Sequence, residues 1–275
     1  MNEIDEGIAR RVLAVVDAGL VRGVGEPIPG QMCAAAAVCY ALGLPHGDEP
    51  TCVSSAVRRL TIRLNDARWS SPQARARGLR RLAIAALGSR GVLDEIEFGS
   101  RVARLAIQTC VPTALRAVAQ RHAGEQRARL LHAAELCERD PTREYALEAR
   151  AAVVAAAAAA DADDADAAAY VYAADAAAYV AAYYAAAAAA AAHAAAAAAY
   201  AADAADAAAA AAHAAHAADA AAYVYAADAV NVALNDAAAR AAYDDALAAF
   251  AERVVHVLID MGSPGCAFLH LTEAA

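Results

Sequence analysis

The chain has 275 residues, 32 acidic against 23 basic, and a formal net charge of −9. That length buries a core without disulfide support, as one large domain or two, and the negative balance argues against duplex nucleic acid as a partner. Hydrophobic residues make up 61%, but most are Ala, which is too weakly apolar for the figure to signal a membrane protein.

Residues 5–21 place Ile8, Val12, Val15, Val16 and Leu20 near helical spacing, and Gly19, Gly23, Gly25, Pro27, Pro29 and Gly30 then break the chain. The N-terminal string MNEIDEGIARR is acidic and has no apolar signal-peptide core, which points to a reducing cytoplasm. The six cysteines, Cys33, Cys39, Cys52, Cys110, Cys137 and Cys266, then read as small buried hydrophobes rather than disulfides. A short buried helix is predicted over 31–42, stopped by Gly43. From Thr51 to Asp66 the pattern Val53, Val57, Leu60, Ile62, Leu64 suits a helix, although TIRL admits a brief strand. Ser71 as N-cap and Pro72 at the first helical position open the next helix, and Gly88 ends it. Helical segments follow around 93–108, 112–122 and 125–138, and Asp140-Pro141 repeats the cap-then-proline start.

After Pro141 there is no Gly or Pro until Gly262, and residues 151–250 contain 63 Ala. Ala has the highest helix propensity, so helix is predicted throughout. A single helix of that length would extend roughly 180 Å, so the chain must fold back. Asp favours caps and turns, which makes 161–166 the best break, with 203–206, 216–219 and 231–236 weaker ones. The string DAAAYVYAADA occurs at 166–176 and again at 219–229, the mark of a duplicated helical hairpin. Tyr172, Asp175, Tyr179 and Tyr183 share one helical face and read as packing. Residues 176–202 are long enough to span a bilayer but contain no Leu, Ile or Phe, which favours packing against protein over lipid. The predicted fold is all-α: an Arg-containing multi-helix module over 1–140, then an Ala-rich antiparallel helical bundle over 141–275 with a partial internal repeat and a short tail.

Charge divides along the same line. Residues 1–150 hold 21 Arg against 17 acids, whereas 151–275 hold two Arg against 15 acids. This split suits either an acidic partner for the first half and a basic one for the second, or docking of the halves on each other. Every basic residue is Arg and none is Lys.

Three groups of residues have chemical potential. Cys33, Cys39, His46, Asp48 and Cys52 cluster within 20 residues, but without a CxxC or another ligand spacing they read as core sulfur before a metal or thiol site. His213, His216 and Asp219 sit three apart, too far around a helix for all three to share one face. The richest segment runs from Arg58 to Arg81, with eight Arg against the single acid Asp66. Arg58, Arg63, Asn65, Trp69, Ser71, Arg75, Arg80 and Arg81 are the candidate ligand-binding residues. The N-terminus of the 72–87 helix would bind an anion, with Arg adding charge-assisted hydrogen bonds and a base stacked on the only Trp. The competing reading is that these Arg dock onto the acidic C-terminal half.

The strings PGQMCAAAAVCYALGLPHGD and RLNDARWSSPQARARGLRRLAIAALGS, followed by Ala/Asp/Tyr-rich repeats and the ending Met261-Gly-Ser-Pro-Gly-Cys266, resemble a family of uncharacterised proteins of bacteria and tailed phages. The resemblance covers residues 27–89, the Ala-rich region and that ending. It implies a setting of conflict with host defence, including capture of nucleotide signals, and no defined reaction. The Ala-rich half is also similar to immunity-protein domains of bacterial toxin systems. The first expectation is therefore a non-enzymatic protein that binds a small anionic ligand, with the Ala-rich bundle as scaffold or as the surface of a homo-oligomer, and with no metal or cofactor. The alternative is a protein-binding or immunity-type module acting through its acidic helical face. An enzyme using Cys39 and His46 comes third.

Overall fold

In the computed structural model, which describes residues 4–120, 122–159 and 237–273, the regular elements among the described residues are all helical. They fall into two compact units. One is formed by the residues up to Phe98 together with those from Arg240 onward, the other by those from Gly99. The two ends of the chain thus share one unit, whereas the composition-based division was drawn at 140/141. Composition marks where Ala begins to dominate; it carries no information on which segments bury each other.

In the first unit, helix starts follow local capping chemistry. Asp5 opens α1 (Glu6–Asp17), its Oδ1 accepting the Ile8 N–H at 2.7 Å. Ile8, Val12, Val15 and Val16 of α1 are buried, as their spacing predicts. Cys33 caps α2 (Ala34–Ala41) through its sulfur, which accepts the Ala36 N–H at 3.3 Å. Ser54 caps α3 (Ser55–Asp66) at Val57. The TIRL stretch is helical: Leu60, Thr61 and Leu64 are buried, and the Thr61 hydroxyl donates to the Val57 carbonyl at 2.9 Å. Ser71 and Pro72 begin α4 (Pro72–Ala85) as predicted, with Ser71 Oγ accepting the Ala74 N–H at 3.1 Å. Gly88, at φ +73°, turns the chain after α4 in a conformation that glycine adopts without strain. Helix α1 packs on α2 and α4, and α3 packs on both as well.

One helix departs from expectation. Separate segments were predicted around 93–108 and 112–122, but α5 runs unbroken over Glu95–Ala119 with Pro112 inside it. Proline removes one backbone donor there. The Thr109 hydroxyl donates to the Leu105 carbonyl and the Thr113 hydroxyl to the Thr109 carbonyl, so neighbouring side chains engage carbonyls in the turns around Pro112.

In the second unit, α6 (Gly124–Arg139) packs against α7 (Arg143–Ala159). Their buried residues are mostly small: Ala133, Ala134 and Cys137 on α6, and Ala146, Ala149, Val153 and Ala156 on α7. Such side chains let helix axes approach closely. Helix α7 begins after the predicted Asp140-Pro141 start, with Thr142 Oγ1 accepting the Tyr145 N–H at 3.4 Å. Arg116 and Glu138 form a bidentate pair between α5 and α6, with Nη2–Oε2 at 2.7 Å.

Helix α8 (Ala237–Asp260) leads back into the first unit, where Leu247, Phe250, Ala251, Val254, Val255 and Leu258 are buried. A 3-10 helix, Pro264–Thr272, then packs on α4 and α1 with Leu269 and Leu271 inward. The predicted fold-back points, the 53-residue repeat, the Tyr172–Tyr183 face, the 176–202 stretch and the His213–Asp219 group lie outside the described residues. No helix among the described residues is long and apolar enough to cross a membrane.

Candidate functional site

The candidate residues lie on α3, the turn that follows it, and α4, all within the first unit. The turn is built by Asn65, which is fully buried. Its Oδ1 accepts the Ala34 N–H at the head of α2 at 3.1 Å, and its Nδ2 donates to the Val21 carbonyl at 2.9 Å and to Asp66 Oδ1 at 3.0 Å. Asp66 in turn accepts the Gly23 N–H. A buried amide with both ends bonded ties the glycine-rich loop to the end of α3.

Arg75 lies behind this turn and is only 7% exposed. Its Nε donates to the Asn65 carbonyl at 2.7 Å and its Nη1 to the Leu20 carbonyl at 2.9 Å, and Nη2 faces the Ala67 carbonyl at 3.5 Å. Burial pulls this guanidinium below its ordinary pKa, partly offset by Asp66 and Asp244. The fork is spent on backbone carbonyls of the chain itself. Trp69 is buried too: its Nε1 donates to the Leu64 carbonyl at 2.9 Å and its ring covers Gly78. No base can stack on it in this arrangement.

The turn before α4 does hold an anion, and that anion belongs to the protein. The Ser70 N–H donates to Asp244 Oδ1 at 2.9 Å and the Ser70 hydroxyl donates to Oδ2, so a carboxylate from α8 sits at the turn where an outside ligand was expected. Further along α4 the same pattern recurs. Arg80 grips Asp17 with Nε at 2.7 Å and Nη2 at 3.0 Å, while its Nη1 donates to the Thr272 carbonyl. Arg81 holds Glu252 through Nε at 2.9 and 3.1 Å, and its Nη1 donates to Thr272 Oγ1 at 3.1 Å. Arg58, nearer the start of α3, pairs with Glu49 at 2.8 Å, and its Nε is buried without a hydrogen-bond partner. Ser71 serves as the α4 cap. Arg63 lies on the exposed side of α3.

The structure therefore brings Asn65, Trp69, Ser71 and Arg75 into one corner and sets Arg80 and Arg81 along α4 against the C-terminal segment. Sequence reasoning had not singled out their partners Asp17, Asp244, Glu252 and Thr272. For Asp244 and Glu252 the signal was the charge deficit of residues 151–275, which named the half but not the residues; nothing in the sequence pointed to Asp17 or Thr272. Arg59, Arg68 and Arg77 are without a side-chain partner among the described residues, and Arg68 and Arg77 are exposed.

The cysteines are free; five are buried and Cys266 is half-buried. Desolvation pushes the Cys39 and Cys266 thiols up to about 11 and Cys137 to about 12, and raises Cys33 and Cys52 as well. That is the opposite of what a nucleophilic thiolate requires. His46 does not reach Cys39 as a base; its Nε2 bonds the Gly25 carbonyl at 2.8 Å. Among the described residues no group of three or more His, Cys, Asp or Glu is placed to hold a metal ion. No protein-family model, curated protein or solved structure matches this chain.

Proposed function

We propose that the chain is a non-enzymatic protein-binding module that engages a basic partner through its carboxylates, and that its Arg-rich segment is the clasp holding both chain ends in one unit. The observation that carries this reading is that four Arg of the cluster are taken up by the protein's own groups. Arg58, Arg80 and Arg81 are paired with the protein's own carboxylates, and Arg75 with its own carbonyls. A ligand anion would have to displace these contacts. Acid, in contrast, is in excess along the sequence: residues 160–236 contain ten Asp and no Arg or Lys. A segment with that imbalance in its sequence attracts basic partners and steers their encounter. The resemblance of residues 27–89 to bacterial and phage proteins, and of the Ala-rich half to immunity-protein domains, is in keeping with a binder that acts in host conflict.

The test compares affinity capture from cells by the wild-type chain and by a variant with Asp161, Asp163, Asp164 and Asp166 changed to Asn. The wild type is expected to retain Arg/Lys-rich proteins that the variant releases, and the purified retained protein is expected to rebind in a salt-sensitive way. Identical retention by both chains would sink the reading. So would a rise in melting temperature with linear or cyclic nucleotides that disappears in Arg59→Gln or Arg77→Gln.

A further inference from the structure

We draw no further inference here: the strongest candidate, the loop between α1 and α2 that holds Ile28 exposed between Pro27 and Pro29, carries nothing, because nothing in the structure shows what covers that apolar tip.

Discussion

At Gly78 an ideal Cβ would lie 2.2 Å from the Trp69 ring, closer than real side-chain carbons approach. The indole has little room to yield, because its Nε1 is fixed to the Leu64 carbonyl and it is 7% exposed. Gly78→Ala is therefore expected to destabilise the first unit by about 1–3 kcal/mol, the usual range for overpacking. Alanine's better helix propensity recovers less than about 1 kcal/mol of that. The urea midpoint measures the loss, and the fluorescence of Trp69, the only tryptophan, reports whether the indole is displaced. An unchanged midpoint with unchanged fluorescence would show that the ring is not held as described. The same side chains show where residue-level reading from sequence stops. Asn65, Trp69 and Arg75 look like ligand groups because they are polar, aromatic and close together in sequence. Their actual targets, the carbonyls of Val21, Leu20 and Leu64 and the N–H of Ala34, are backbone groups, and no sequence pattern identifies which of them need a partner.

Among the elements, the capped starts were legible. Ser71 with Pro72 announces α4 and the apolar spacing of residues 8–16 announces the buried face of α1, since both effects act within one or two turns. The continuity of α5 through Pro112 was not, since proline inside a helical pattern reads locally as a breaker. The placement of α8 was also hidden. Its residues carry the same Ala-rich composition as the stretch before them, yet Phe250 is 1% exposed and belongs to the unit built by the first 98 residues. Phe250→Ala should accordingly cost about 3–5 kcal/mol, and the loss should appear in amides of α1 to α4 when hydrogen exchange is followed segment by segment. Faster exchange confined to α6 and α7 would contradict the assignment of α8 to the first unit.

For the molecule as a whole, the thiols set an alkaline limit. The folded-state values of Cys39, Cys266 and Cys137 lie at about 11, 11 and 12, above the ordinary value of 9.0, because burial disfavours the thiolate. A group whose folded pKa is raised contributes its full stability below the unfolded value and loses it as pH rises towards the folded one. Stability is expected to hold below pH 9 as far as the thiols are concerned, and to fall between pH 9 and about 12. Urea midpoints taken across that range, with Cys137→Ala as a comparison, measure the effect. A midpoint that stays level through pH 11 would contradict the burial of these thiols. At this scale the sequence disclosed the charge division correctly but left open whether the Arg cluster turns outward or inward. That choice depends on long-range partners such as Arg81 with Glu252, 171 residues apart.

The carboxylate of Asp244 in the turn before α4 has one more consequence. The turn at Ser70 behaves as a receptor sold with its ligand attached: an outside carboxylate or phosphate meets it only in the fraction of molecules in which Asp244 has let go. Its apparent affinity is weakened by the inverse of that fraction. Replacing the aspartate would raise the turn's appetite for anions without adding a single new donor.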